Sequence, residues 1–176
     1  MRVIGGKFRK KILNSPIEKH IRPTNNKVKE AVFSIIGEEI NDSIFFDLFS
    51  GSGSVGIEAL SRGAKKVYFN DINKKSIQTI YNNLSQLKCS NYKVLNLDYK
   101  KAINKSNEYI DYIYIDAPFV GFDINSALKL VLKSVKLKKT TTIFLETPLS
   151  EKIEIKANLN IKEYKYGRIM IYKITF

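Results

Sequence analysis

The stretch Phe45-Phe46-Asp47-Leu48-Phe49-Ser50-Gly51-Ser52-Gly53-Ser54-Val55-Gly56 constrains the fold more than any other part of the chain. A short apolar run that ends in Gly-x-Gly-x-x-Gly is a buried strand turning sharply into a helix, because glycine permits both the tight turn and a close backbone approach. A strand buried on both faces belongs to a parallel sheet. Parallel neighbours need crossover connections, so strands and helices should alternate along the sequence.

The rest of the sequence keeps that rhythm. Residues 44–49 read as a strand, 54–62 as a helix stopped by Gly63, 66–70 as a strand, and 74–87 as a helix with Ile77, Ile80, Tyr81 and Leu84 on one face. Strands at 92–97, 110–115 and 141–146 follow. Between them come a short helical stretch near Lys100 and a helix striped with Ile124, Ala127, Leu128, Val131 and Val135. Ahead of them all, Val28, Ala31, Val32, Ile35 and Ile36 stripe a helix that starts at Thr24 and Asn25, just after Pro23. The predicted fold is α/β, three layers αβα, with a mainly parallel sheet covered on both faces. Residues 160–166 and 168–176 read as two strands meeting at Gly167, a C-terminal antiparallel hairpin at one edge. Residues 2–13 could form another hairpin around Gly5-Gly6.

At 176 residues, 44% of them hydrophobic, the chain has material for one core and no second domain. We expect a single domain, 1–176, whose first 23 residues form a basic N-terminal arm. No apolar stretch reaches the roughly 18 residues that span a bilayer. The opening Met1-Arg2-Val3-Ile4-Gly5-Gly6-Lys7 lacks the apolar block of a secretory signal, so the expected location is the cytoplasm, without membrane contact. Cys89 and His20 are single residues of their type, which excludes an internal disulfide, a Cys/His zinc cage and a triad built on a cysteine or a second histidine. No metal site is expected.

Thirty Lys and Arg stand against 17 Asp and Glu, a net charge of +13 that attracts polyanions, nucleic acid first among them. The plainer reading is a lysine-rich composition with no partner. Lys7, Arg9, Lys10 and Lys11, with Lys19 and Arg22 beyond, crowd charge into the arm, where they would hold RNA phosphates. A solvated face is the alternative.

Acidic residues accompany the glycine loop. Asp71, ending the next strand, is placed to accept from both ribose hydroxyls of an adenosine. The loop and Asp71 together point to a nucleoside-containing cofactor, against a bare tight turn and a helix cap. Asp47 leads into the loop where a dinucleotide's pyrophosphate would approach, and a carboxylate there repels phosphate at low dielectric. S-adenosylmethionine carries no phosphate, and its sulfonium and ammonium groups suit that carboxylate. A buried carboxylate satisfied by loop N–H groups is the structural alternative for Asp47. Asp98 is positioned for an adenine amine or for a helix N-cap, and the two can coexist.

Ile113-Tyr114-Ile115-Asp116-Ala117-Pro118-Phe119 ends a strand on the same carboxyl edge. Asp116 and the Ala117 carbonyl can each accept one N–H of a nucleobase amine, favouring a pyramidal nitrogen and stabilising its developing charge. Pro118 biases Ala117 towards an extended conformation, and Phe119 offers a face on which an extruded base can stack. The alternative is a strand-ending turn with Phe119 in the core.

These blocks resemble the RsmD family of 16S ribosomal RNA guanine-N2 methyltransferases, Rossmann-like class I enzymes that use S-adenosylmethionine. Arg2-Val3-Ile4-Gly5-Gly6-Lys7 resembles the family's opening. Ile21-Arg22-Pro23-Thr24 with the segment from Val28 to Phe33 resembles its Arg-Pro-Thr helix, and Asp47 to Ala64 its cofactor loop and helix. The resemblance implies that Gly51, Gly53, Asp71 and Asp98 contact the cofactor with Asp47 and Thr24 nearby. It also implies that Asp116, Ala117, Pro118 and Phe119 hold the guanine amine. The implied partner is 16S rRNA within a small ribosomal subunit or an assembly intermediate, met by a monomer. The sequence departs from the family at Ala117, where a proline is usual, at Asp71, where glutamate is commoner, and in a shorter final hairpin. Ala117 keeps the carbonyl, so reduced rigidity is expected there and not lost activity. Two other readings stand beside this one: an adenine-N6 methyltransferase of DNA or RNA, and a non-catalytic cofactor- or RNA-binding module.

Overall fold

The structure is a computed structural model that describes residues 1–15, 26–119, 121–154 and 159–176. Its elements run α1 (Asn26–Ile36), β1 (Ile44–Asp47), α2 (Ser54–Ser61), β2 (Lys66–Asn70), α3 (Lys74–Gln86), β3 (Tyr92–Leu95), α4 (Tyr99–Ala102), β4 (Ile110–Ile115), α5 (Ile124–Leu132), β5 (Leu137–Pro148), β6 (Asn160–Tyr166) and β7 (Ile169–Thr175). Among the described residues the strands form one seven-stranded sheet in the order β3-β2-β1-β4-β5-β7-β6. The first five are mutually parallel, while β7 runs antiparallel to both β5 and β6.

Alternation along the strands assigns the two faces. On one, Phe45, Val67 and Phe69 pack with Val32 and Phe33 of α1, Ile57 of α2, and Ile80 and Leu84 of α3. On the other, Phe46, Ile113 and Ile143 pack with Ala102 of α4 and with Leu128 and Val131 of α5. The result is the three-layer Rossmann-like arrangement, and each fully buried large aliphatic or Phe side chain contributes about 1.5–3 kcal/mol. Strand order reverses between β1 and β4, so the loops leaving their carboxyl ends diverge and open a crevice between them.

Several boundaries differ from the sequence reading. Strand β3 stops at Leu95, where the Asn96 side-chain amide donates to the Asp71 and Ile72 carbonyls and turns the chain aside. Strand β5 begins at Leu137, earlier than 141, pairing across a bulge at the start of β4 despite its lysines. Tyr81 is 44% exposed because the buried face of α3 runs through Ser76, Ile80, Asn83 and Leu84; Val135 is 75% exposed because α5 ends at Leu132.

The N-terminal hairpin exists but not as a tight turn at Gly5-Gly6. Its single bridge joins Arg2 to Ile12, and the Val3 amide donates to the Lys11 carbonyl at 2.9 Å. The two glycines instead let the backbone press onto α2: a Cβ on Gly6 would lie 1.9 Å from the Ser61 carbonyl oxygen. The Lys7 amide donates to that oxygen at 2.7 Å, and the Ser61 hydroxyl donates to Gly5 while accepting from the Phe8 amide. Glu58, fully buried, accepts from the amides of Ile4 and Gly5 at 2.8 and 2.7 Å and from Arg62 Nε at 2.9 Å. Lys29 Nζ lies 3.3 Å from Glu58 and donates to the Arg2 carbonyl; burial lowers its pKa, opposed by Glu58. With Val3 and Leu13 buried as well, the hairpin is anchored to the core at both of its strands. Lys19, Arg22 and Thr24 lie outside the described residues.

Candidate active site

The candidate residues lie along one edge of the sheet, at the carboxyl ends of β3, β2, β1 and β4. Gly51 and Gly53 adopt φ of 53° and 78°, left-handed values, and Gly53 caps α2 with no side-chain bond to its first turn. Gly56 has a packing role: a Cβ there would come within 2.2 Å of the Phe69 ring. Asp47 is 1% exposed and its Oδ2 accepts from the Gly56 amide at 3.0 Å. Burial pushes its carboxyl up to about 7, the Gly56 N–H opposing this and the Asp71 charge adding to it. Asp71 ties the loop to β2, accepting from the Gly51 amide at 2.8 Å and from the Asn73 amide at 2.8 Å. Asp98 is the N-cap of α4, accepting from the Lys100 amide at 2.8 Å.

Asp116 follows β4 directly. Ala117 is buried, Pro118 is exposed, and Phe119 is half-buried and packs against the core on the α1–α3 face. Ala117, Pro118 and Phe119 border a shallow open cleft shared with Phe122, Glu146 and Thr147. Phe119 thus serves the core and the cleft at once.

Two features escape the sequence reading. Phe49, Tyr99 and Phe122 form a half-buried aromatic triad with ring centroids 5.3–5.5 Å apart, joining the loop after β1 to the cleft. Each follows a strand end, which is the signal that could have found them. Glu146 is 4% exposed and accepts a hydrogen bond from the Tyr114 hydroxyl. That phenol is pushed well above its ordinary pKa by burial first, then by the charges of Glu146, Asp116 and Asp47, so it is a donor at any physiological pH.

Glu146 completes a pattern. Every one of the five parallel strands has a carboxylate at or near its carboxyl end: Asp47, Asp71, Asp98, Asp116 and Glu146. An edge so lined repels a pyrophosphate and suits a ligand that carries positive charge and no phosphate, as S-adenosylmethionine does. Among the described residues no group of His, Cys, Asp and Glu could hold a metal ion.

The basic residues sit elsewhere. Lys7, Arg9, Lys10 and Lys11 are exposed on the loop of the N-terminal hairpin, against the C-terminal end of α2. The glycine loop is at the other end of that helix, about 12 Å away at 1.5 Å per residue. The hairpin's open end reaches the glycine loop instead: Asn83 links the Asn14 amide, at 2.8 Å, to the Ser52 carbonyl, at 3.0 Å.

Known proteins share this arrangement over their length. The sequence model described as Conserved hypothetical protein 95 matches residues 1–175. Ribosomal RNA small subunit methyltransferase D of Haemophilus influenzae is 32% identical over 99% of this chain and 92% of its own. The protein of the same name in Escherichia coli K12 is 26% identical over 99% and 88%. The solved structure of yhhF from Escherichia coli superposes with a TM-score of 0.86 at 26% identity, covering 99% of this chain and 97% of that one. A match that runs from the first residue to the last but one leaves no part of the fold unaccounted for, and this chain belongs to the Conserved hypothetical protein 95 family, that of the RsmD methyltransferases.

Proposed function

We propose that the protein transfers a methyl group from S-adenosylmethionine to the exocyclic N2 amine of a guanine in 16S rRNA, within a small ribosomal subunit or an assembly intermediate. The observation that carries this reading is the cleft at the end of β4, bordered by Ala117, Pro118 and Phe119, with Asp116 directly ahead of them in the chain and Phe122 linking it through Phe49 to the loop after β1. The rRNA substrate is supported by the names of the relatives from Haemophilus influenzae and Escherichia coli.

When bound, the cofactor supplies a methyl group on a sulfonium, already an excellent leaving group. The chain's residues therefore need to position and polarise more than to act as a strong base. Gly51 and Gly53 let the backbone approach the methionine part, with Asp47 beneath it and Thr24 nearby. Asp71 accepts from the ribose hydroxyls, and Asp98 reaches the adenine amine while capping α4. Asp116 and the Ala117 carbonyl accept the two amine hydrogens, which turns the nitrogen lone pair out of the ring and stabilises the positive charge that grows on it. Pro118 holds Ala117 extended, and Phe119 stacks on the base. Lys7, Arg9, Lys10, Lys11 and Arg22 contact phosphates away from the reacting centre.

Replacing Asp116 by alanine should lower the turnover rate by about 10²–10³-fold, as removing one charge-stabilising group does, while donor binding measured by calorimetry persists. The product, identified by mass spectrometry of nucleosides digested from methylated small-subunit rRNA, should be N2-methylguanosine. N6-methyladenosine as the product, or wild-type turnover by Asp116→Ala, would overturn the proposal.

A further inference from the structure

Glu146 is a buried carboxylate of the cleft with no part in holding the amine. Strands β4 and β5 run in parallel register, Tyr114 beside Phe144 and Ile115 beside Leu145. One step further brings Asp116 alongside Glu146 on the face that carries Tyr114, with strands about 4.8 Å apart. Glu146 is 4% exposed, borders the cleft together with Ala117 and Phe119, and is fixed by the Tyr114 hydroxyl reaching up from the same face.

The arrangement suits a ligand that brings several N–H donors at once. Guanine does so along one edge, with two hydrogens on the N2 amine and one on the adjacent ring nitrogen N1. Asp116 and the Ala117 carbonyl account for the first two, and a carboxylate accepts the third. A base with a bare lone pair at that ring nitrogen would instead face Glu146 oxygen against nitrogen, with neither able to donate.

We infer that Glu146 accepts the N1–H of the target guanine and thereby selects guanine over bases whose ring nitrogen at that position carries no hydrogen, with Tyr114 as the positioning residue for its carboxylate. This rests on the amine-holding role proposed for Asp116 and Ala117. A site built around a substrate hydrogen bond rejects an analogue that lacks it far better than an apolar pocket rejects a change of shape.

The test uses 16S rRNA joined from synthetic pieces and assembled with small-subunit proteins, carrying at the methylated position either guanine or 2-aminopurine. The analogue keeps the amine on C2 and has no hydrogen on N1. Wild-type protein should favour guanine by about 100-fold or more in kcat/KM. In Glu146→Gln the amide still accepts from Tyr114 and can donate to a bare N1, so the preference should collapse to about 10-fold or less, with donor affinity unchanged by calorimetry. Tyr114→Phe should raise KM for the guanine substrate more than it lowers kcat. Equal use of both bases by the wild type, or an unchanged preference in Glu146→Gln, overturns the role of Glu146 alone. A wild-type protein that is inert on the guanine particle, or that methylates another base in it, overturns the guanine-N2 function and this inference with it.

Discussion

Asp47 keeps a proton that an exposed aspartate would have lost. Its carboxyl titrates at about 7 in the fold, against 3.8 for the ordinary group, because the side chain is taken out of water. Between those values the folded chain binds more protons than the unfolded one, so stability is greatest at the acidic end and falls as pH climbs to about 7. Asp47→Asn removes the penalty and keeps the acceptor for Gly56. Its unfolding free energy at pH 8, by urea titration, should exceed the wild type's by as much as about 4 kcal/mol, and the gain should fade towards pH 4. On the proposed reading a cationic donor favours the ionised form, so donor affinity should rise with pH through about 7 in the wild type and stay flat in Asp47→Asn, as isothermal calorimetry can measure. Asp47, Asp71, Asp98 and Asp116 were legible because each stands at or soon after the end of an apolar run, where a charged residue is conspicuous. Glu146 closes the apolar run Ile143-Phe144-Leu145 in the same way, but the partner that fixes it, Tyr114, lies 32 residues away, and only the fold brings the two together.

At the scale of elements, α2 serves two masters. Its first turn faces the glycine loop, and its last turns carry the residues that fasten the N-terminal hairpin. Glu58→Ala strands two backbone amides and the Lys29 ammonium without their carboxylate, and should cost about 3–5 kcal/mol of unfolding free energy, the usual loss when one partner of a buried ion pair is removed. Ser61→Ala, which deletes neutral hydrogen bonds, should cost about 1–2 kcal/mol in the same urea titration. The alternation of strands and helices was readable from period and punctuation because these follow from local burial. The fastening was not. Gly5-Gly6 carries the same letters whether glycine makes a tip or admits a neighbouring backbone, and only the position of Ser61, 55 residues on, tells the two apart. Tyr81 and Val135 stand exposed although both fit the apolar stripes, because spacing alone does not say where a helix's buried face ends.

Across the whole molecule two groups of charge lie apart. Carboxylates line the edge where the parallel strands end, while the exposed Lys7, Arg9, Lys10 and Lys11 occupy the hairpin loop at the far end of α2. Net charge favours a polyanionic partner without saying that these basic residues sit at the end of α2 remote from the glycine loop. Neutralising Lys10 and Lys11 together should weaken RNA binding and reduce the slope of log affinity against log salt by about 0.7 for each single-stranded phosphate no longer held, with donor affinity unchanged. An unchanged slope in filter-binding titrations would remove this loop from the RNA interface. The placement of β7 reaches further, into the order in which the protein can be made. This strand follows every other described strand in the sequence, yet it lies inside the sheet, between β5 and β6, and it pairs Ile171 with Glu146. A nascent chain emerging N-terminus first can assemble the parallel half early. The flank of β5 that carries Glu146 stays bare until β7 has been made and paired, so this wall of the cleft is finished only after the parallel half of the sheet.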